Sequence, residues 1–288
     1  MIPAQFDYKA PATLDEAVAL LASDLDGAKV LAGGHSLIPA MKLRLAQPQL
    51  LVDIARIKSL AYIREEGDRI LIGATTTHYQ LESSDFLKQI CPLLSECAKS
   101  IGDVQVRNKG TIGGSIAHSD PAGDWPAAVL ALDTGLVLVG PNGERTVKAE
   151  DFFVDLLTTD LQPGEILREV RIKKPSGRFG HAYQKVPHPA SGFAVVGIAV
   201  NLELNDDGSC KSAGIGVTGV GVKAFRANAA ESALAGTRLD DNAIAAAVAH
   251  VCDGVDPNSD LYASSEYRCH LAQVHTRRAI EAAKARVQ

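Results

Sequence analysis

The 288-residue sequence lacks any long hydrophobic segment. Its longest apolar run, Phe193 to Val200, is far shorter than the roughly 18 residues that a membrane-spanning helix needs, so we interpret it as a buried strand. The N-terminus also has no basic segment followed by an apolar stretch and a cleavage site, which argues against a signal peptide. We therefore expect a cytoplasmic protein without a membrane span.

Clusters of basic residues are missing as well. Lys and Arg total 29 against 34 Asp and Glu, a formal net charge of -5, and no basic run or aromatic–basic patch is present. A mildly acidic chain of this kind gives no reason to expect nucleic acid or an anionic membrane surface as a partner.

Cysteine is scarce, and its spacing is irregular. An iron–sulfur cluster needs about four converging thiolates, and no CxxC pair supplies them, so no cluster is expected in this chain. An odd number of cysteines also argues against a disulfide framework and fits a reducing compartment. Histidines show neither HxH nor HExxH spacing, so no metal site is predicted. The five cysteines are Cys91, Cys97, Cys210, Cys252 and Cys269.

The first part of the chain mixes helical and strand patterns. A capping box at Thr13 predicts a helix, and a strand over Ala28 to Leu31 leads to a helix from Leu37 to about Leu45. A longer helical pattern runs from Tyr79 to Ser100 and is interrupted at Pro92.

The pattern changes at a linker candidate, Lys174 to Gly177. Beyond it strands come first and helices last, and this segregation predicts an α+β fold. We expect one domain over residues 1–176, divided near Ile57 into subdomains 1–56 and 57–176. A C-terminal domain over residues 177–288 should contain a three-stranded antiparallel sheet and a helical bundle.

Two glycine-rich loops are the most informative local features. The first is Ala32-Gly33-Gly34-His35-Ser36, and the second runs from Gly110 through Thr111, Gly113 and Gly114 to Ser115. We interpret each as following a strand-like segment. Glycine lets the backbone approach a ligand closely, and successive N–H groups can then bind a phosphate. The alternative is that each Gly-Gly pair only makes a turn. Neither loop matches GxGxxG or GxxxxGK[ST], so a Rossmann or P-loop site is not supported.

Taken together, the two loops resemble the paired flavin-binding signatures of the FAD-binding medium subunits in the carbon monoxide dehydrogenase and xanthine dehydrogenase (molybdenum hydroxylase) family. The resemblance spans nearly the whole chain. It implies a PCMH-type FAD-binding domain, of the vanillyl-alcohol-oxidase fold, followed by a C-terminal domain of the carbon monoxide dehydrogenase flavoprotein type. Further matching segments include Phe6–Tyr8, Leu51–Asp53, Gln105–Asn108, Asp120–Asp124, Pro163–Leu167 and Ala182–Lys185.

The resemblance also implies which residues contact the cofactor. The two loops should wrap the FAD diphosphate, with His35 either contacting the cofactor or orienting its turn. Asp124 should bind the ribose or ribityl region, and Lys185 should stabilise negative charge on the reduced ring unless it is merely a surface lysine. Phe193 should stack on the isoalloxazine ring, or else only begin a buried strand. The full expected set is Ala32, Gly33, Gly34, His35, Ser36, Leu37, Ile101, Thr111, Gly113, Gly114, Ser115, Asp124, Leu161, Lys185 and Phe193.

The family resemblance predicts an electron-transfer subunit rather than a complete enzyme. A small partner would carry two [2Fe-2S] clusters and a large partner a molybdenum–pterin cofactor, in a heterotrimer doubled by two-fold symmetry. Electrons would reach FAD from the clusters and leave to a quinone, oxygen or another acceptor. Peripheral contact of the complex with a membrane stays open beside a purely cytoplasmic location. The overall substrate stays open between carbon monoxide, an aldehyde, a purine and an N-heterocycle of the nicotine type. A stand-alone FAD-dependent oxidase is the second hypothesis, and a scaffold that has kept the fold is the third.

Overall fold

The computed structural model describes residues 1–287. Its strands are β1 (Asp7–Lys9), β2 (Ala28–Leu31), β3 (Leu50–Asp53), β4 (Ile63–Glu66), β5 (Arg69–Gly73), β6 (Gly135–Gly140), β7 (Gly143–Lys148), β8 (Phe153–Asp155), β9 (Thr158–Thr159), β10 (Ile166–Lys173), β11 (Arg178–Pro187), β12 (Ala194–Leu204), β13 (Cys210–Thr218) and β14 (Phe225–Arg226). Its helices are α1 (Leu14–Ser23), α2 (Leu37–Lys42), α3 (His78–Ser83), α4 (Asp85–Ile90), α5 (Pro92–Lys99), α6 (Val104–Arg107), α7 (Ile112–His118), α8 (Asp124–Ala131), α9 (Ala149–Phe152), α10 (Asn228–Leu234), α11 (Asp241–Val248) and α12 (Ser265–Ala285). The expected α+β fold is confirmed.

A small parallel sheet, in the order β1-β3-β2, opens the chain. Helix α1 packs on it through Ala17 and Leu21, which are buried with Val52. The predicted cap is present, because Thr13 Oγ1 accepts a hydrogen bond from the Glu16 N–H at 3.2 Å. The Glu16 carboxylate accepts from the N–H of Ala12. The predicted extension of α2 to about Leu45 was wrong, because Arg44 adopts a left-handed φ of 59° that ends the helix.

A five-stranded antiparallel sheet, in the order β4-β5-β10-β6-β7, forms the centre of the first part of the chain. Helices α7 and α9 contact this sheet, and residues of α3 to α5 share its hydrophobic core. The helical pattern over Tyr79–Ser100 was predicted to break only at Pro92, but it also breaks at Ser84, whose ψ of 110° is extended. The Ser84 hydroxyl accepts from the Leu87 N–H at 3.3 Å, so this serine begins α4 instead of continuing α3.

The structure also corrects the setting of the second glycine loop. A short helix, α6, precedes it instead of a strand, and Gly113 and Gly114 lie inside the first turn of α7. Thr111 caps this helix, since its hydroxyl accepts from the Gly114 N–H at 3.2 Å. Position 113 requires glycine, because a Cβ there would approach the Ala74 Cβ to 2.5 Å.

The C-terminal sheet is antiparallel in the order β11-β12-β13-β14, so four strands replace the three predicted. Strand β14 was missed because it contains only Phe225 and Arg226, too few residues for an alternating pattern. Strand β12 begins at Ala194, one residue later than predicted, which leaves Phe193 outside the sheet. Helix α12 crosses the sheet so closely that a Cβ on Gly180 would lie 2.0 Å from the Ala283 carbonyl oxygen.

Helix α8 joins the two halves of the chain. All of its residues are buried, and it packs against β12 and β13 of the C-terminal sheet. Gly214 and Gly216 permit this contact, because Cβ atoms there would lie 2.1 Å and 1.9 Å from the carbonyl oxygens of Ala131 and Ala127. The first residue of α8, Asp124, is therefore fixed at the junction between the two halves.

Within residues 1–287, none of the helices combines the length and the apolar character that a membrane span requires. The same residues contain no cluster of three or more His, Cys, Asp or Glu side chains that could hold a metal ion.

Candidate functional site

The two glycine loops, far apart in sequence, meet in the structure. A Cβ on Gly33 would lie 2.3 Å from the Lys109 carbonyl oxygen and 2.8 Å from the Gly110 Cα. Any larger residue at position 33 would thus push the loops apart. Gly34, at φ 78°, adopts a conformation that L-residues rarely accept. We call this contact between residues 32–37 and 109–115 the glycine seam.

The first loop presents free backbone donors on its surface. Residues 32–34 are half-buried, while His35 and Ser36 are exposed. Within residues 1–287, the N–H groups of positions 33–37 have no hydrogen-bond partner. Leu37 begins α2, so this row of donors runs from the end of β2 into the first turn of a helix. Such a row binds anions such as a diphosphate.

The second loop uses its donors internally. The N–H groups of Ile112 and Gly113 bond to the carbonyl oxygens of Thr76 and Ala74, and those of Gly114 and Ser115 bond to Thr111. The open features of this loop are the exposed backbone of Gly114 and the half-buried Ser115. The second loop therefore shapes the seam more than it supplies backbone donors.

Asp124 and Lys185 form a buried ion pair at the other end of the site. The Lys185 ammonium donates to Asp124 Oδ2 at 2.8 Å and to the Ser100 carbonyl oxygen at 2.9 Å. The Lys185 side chain is only 7% exposed, so the surface-lysine interpretation was wrong. The second Asp124 oxygen accepts from the Tyr183 hydroxyl at 2.5 Å. Burial raises the pKa of Asp124, and Lys185 opposes this rise.

The remaining predicted contacts lie around this pair. Ile101 follows Ser100 and packs against the main core. The turn that ends in Phe193 approaches the same segment, since a Cβ on Gly192 would lie 3.8 Å from the Gly102 Cα. Phe193 is 46% exposed, so the interpretation of Phe193 as the first residue of a buried strand was wrong. Leu161 is half-buried and follows β9, which packs against α7.

Three residues that link these regions were not selected from the sequence. Arg107 donates to the carbonyl oxygens of Ile101 and Gly102 at 3.1 Å each and pairs with Glu82 at 2.7 Å. These contacts connect α6 with the segment that follows Ser100 and with α3. Tyr183 orients Asp124 as described above. His78 lies next to the seam, and its backbone N–H donates to the Gly110 carbonyl oxygen at 3.0 Å. A polar residue every second position in β11 could have indicated Tyr183, whereas His78 and Arg107 carry no local signal.

Comparison with known proteins identifies the family of this chain. Residues 4–175 match the family model described as the FAD binding domain in molybdopterin dehydrogenase. Residues 181–283 match the CO dehydrogenase flavoprotein C-terminal domain. The chain therefore belongs to the family of FAD-binding oxidoreductase subunits of molybdopterin dehydrogenases, which confirms the resemblance seen in the loops.

Individual relatives cover the whole chain. It is 43% identical to the carbon monoxide dehydrogenase medium chain of Afipia carboxidovorans, with 100% of both sequences aligned. It is 36% identical to subunit alpha of the 6-hydroxypseudooxynicotine dehydrogenase complex of Paenarthrobacter nicotinovorans, over 97% of this chain and 95% of the relative. Its structure superimposes with a TM-score of 0.96, at 44% identity and 100% coverage of both chains, on a chain of the Hydrogenophaga pseudoflava carbon monoxide dehydrogenase that lacks the Mo-pyranopterin moiety of the molybdenum cofactor.

Proposed function

We propose that this chain holds FAD across the glycine seam and the Asp124–Lys185 pair, and that it passes electrons between a partner subunit and an external acceptor. The row of free N–H groups in the first loop is the observation that carries this proposal. These donors fit a diphosphate, because they lie side by side in a surface loop and no acidic side chain of the loop competes for them.

The chain's own residues divide the work between the two ends of the site. Gly33 to Leu37 bind the diphosphate, and the contact of Gly33 with Lys109 and Gly110 keeps the first loop in place. Thr111, Gly113, Gly114 and Ser115 border the cofactor on the side of the second loop. At the other end, Ser100 and Asp124 fix the Lys185 ammonium, which keeps one N–H free for a ligand after donating to both. FAD, when bound, supplies a redox centre that exchanges electrons with donors and acceptors.

Ile101, Leu161 and Phe193 would then supply apolar contacts around the flavin ring. Phe193 has a half-exposed face at the mouth of this region, where an aromatic side chain can stack on a planar ring. Asp124 is assigned to the ribose or ribityl region, since a carboxylate beside the diphosphate would repel it.

We propose that a small iron–sulfur subunit with two [2Fe-2S] clusters and a large molybdenum–pterin subunit complete the enzyme. Supporting this assembly, one relative is named a medium chain and another a subunit of a complex. Assembly into a dimer of heterotrimers follows from the general preference for two-fold closure. The five free cysteines support a reducing, cytoplasmic location, with any membrane contact made through the complex.

The substrate would be set at the molybdenum subunit, outside this chain. The similarity to carbon monoxide dehydrogenase medium chains favours carbon monoxide. The relative from a 6-hydroxypseudooxynicotine dehydrogenase complex keeps an N-heterocycle hydroxylase as the alternative. For the chain itself, we propose a FAD-binding domain over residues 1–176, with subdomains 1–56 and 57–176, and a C-terminal domain over 177–288.

Native purification tests the proposal directly. The visible spectrum and flavin content of the protein are measured, and the co-purifying chains are identified by mass. One FAD per chain, with iron–sulfur absorbance and two partner chains, is expected. Flavin bound by a single chain that turns over a small alcohol would instead support a stand-alone oxidase. A fully assembled complex without flavin would refute the proposal.

A further inference from the structure

Backbone contacts hold His78 against the second glycine loop. It is the first residue of α3, and Thr77 caps this helix with a hydroxyl that accepts from the Gln80 N–H at 3.3 Å. The His78 N–H bonds to the Gly110 carbonyl oxygen at 3.0 Å, and a backbone bridge pairs Thr77 with Thr111. The imidazole ring is therefore held at a fixed position relative to the seam.

The proton on this ring is also fixed. The Trp125 indole N–H donates to His78 Nδ1 at 3.0 Å, so a neutral imidazole must carry its hydrogen on Nε2. Burial lowers the pKa of His78 to about 4, and His35 and Arg107 add to this effect. At neutral pH the side chain is thus a neutral N–H donor with a single tautomer.

The Nε2–H group has no hydrogen-bond partner among residues 1–287. His78 is only 4% exposed, and its Nε2 atom is not fully sealed from solvent, so the ring reaches the surface at this nitrogen. A Cβ on Gly110 would lie 2.7 Å from Nε2, which means that only glycine leaves this edge uncovered. Gly110 in turn contacts Gly33, so the ring edge lies beside the seam.

The groups around the ring leave its outer edge without a competing acceptor. Arg107 disfavours a positive charge on His78. The nearby carboxylate of Glu82 is already paired with Arg107 at 2.7 Å. The Nε2–H group at this partly open edge therefore remains available to a ligand or to water.

From these contacts we infer that His78 is a further FAD-binding residue, whose Nε2–H donates a hydrogen bond to a phosphate oxygen of the cofactor at the glycine seam. The inference rests on the proposed FAD site. It adds a side-chain donor on the side of the second loop, where the backbone N–H groups are already used internally. The alternative is that His78 only completes the hydrogen bond of Trp125.

Two substitutions separate these roles. His78→Asn keeps an acceptor near the Nδ1 position for Trp125 but loses the outer donor. His78→Gln places an amide N–H near the Nε2 position but loses the Trp125 acceptor. A ligand-binding role predicts that His78→Asn weakens FAD binding about 10- to 100-fold and that His78→Gln recovers part of this loss. A purely structural role predicts the reverse order, with His78→Asn close to wild type.

The measurement is FAD titration, by flavin fluorescence, of the flavin-depleted full-length chain and of the flavin-depleted complex. If wild type in the complex takes up no FAD, the proposed function fails. If wild type binds FAD and His78→Asn binds it equally well, only the role of His78 is refuted. Should either variant fail to fold, imidazole ¹⁵N–¹H spectra of the wild-type chain decide. A hydrogen bond to a phosphate oxygen moves the His78 Nε2–H proton downfield when FAD is added, and the absence of a downfield shift would overturn the inference.

Discussion

Replacing Asp124 by asparagine should lower the free energy of unfolding by about 3–5 kcal/mol, the usual cost of removing one member of a buried ion pair. The Asp124 and Lys185 side chains are 5% and 7% exposed, so water cannot replace the lost partner. An asparagine can still accept from the Tyr183 hydroxyl, but its amide N–H would then face the Lys185 ammonium. Two donors would oppose each other in a buried site.

A double-mutant cycle isolates this interaction. Lys185→Met alone should be similarly destabilising, because it leaves a buried carboxylate with only the Tyr183 hydroxyl. The double variant should cost less than the sum of the two single variants by about 1–3 kcal/mol. Urea unfolding of the flavin-free chain, followed by circular dichroism, gives these values. The exposed Asp85–Lys88 pair is the control, and Lys88→Met should change stability by less than about 1 kcal/mol.

The stability of the Lys185→Met variant should depend on pH in a defined direction. Burial raises the pKa of Asp124, and loss of Lys185 removes the main opposing influence. In Lys185→Met the folded chain therefore binds a proton that the unfolded chain has already released, and stability falls as pH rises above the ordinary aspartate value. Additive single variants, or a Lys185→Met chain whose deficit does not shrink in acid, would refute the argument.

The remaining predictions concern the seam, the buried histidines and the flavin region. Gly33→Ala should reduce FAD retention and stability by about 1–3 kcal/mol, because its Cβ would lie 2.3 Å from the Lys109 carbonyl oxygen. Gly67→Ala, with φ 61° and open space, is the control and should cost about 1 kcal/mol without loss of FAD. Burial lowers the pKa of His181 to about 4, so its contribution to stability, about 3 kcal/mol, should be lost as pH falls from about 6.5 to 4. His181→Phe should flatten that decline in urea titrations, and an unchanged slope would contradict the assignment. Phe193→Ala should change stability by less than about 0.5 kcal/mol, because the side chain is 46% exposed, yet alter the fluorescence of bound FAD; an unaltered spectrum would exclude stacking.

Most secondary structure followed from local pattern in the sequence. The limits of β2, for example, were predicted to the residue, because a short apolar segment leads there into the first glycine loop. The break at Ser84 was missed because a serine within a helical pattern is compatible with either a helix or a cap. Strand β14 was missed because its pairing with β13 is decided by tertiary contact, which two residues cannot encode.

The candidate site also has features that the sequence predicts and features that depend on tertiary packing. The glycine loops were recognisable as motifs, and the family assignment from them was confirmed. Their contact through Gly33 and Gly110 was not predictable, since it depends on packing between residues 77 positions apart in the sequence. His78 escaped notice because its neutral state comes from burial and from a tryptophan 47 positions along the chain.

The buried pair also bears on how members of this family can be recombined. Ser100 and Asp124 come from the FAD-binding part of the chain, whereas Tyr183 and Lys185 come from the C-terminal part. A chimera that exchanges residues 177–288 for those of a relative would therefore assemble half of this cluster from each parent. Where the incoming strand lacked the lysine, the hybrid would keep both folds and yet carry an unpaired buried carboxylate at their junction. For recombination the natural unit is thus the whole chain, even though two separate family models describe its halves.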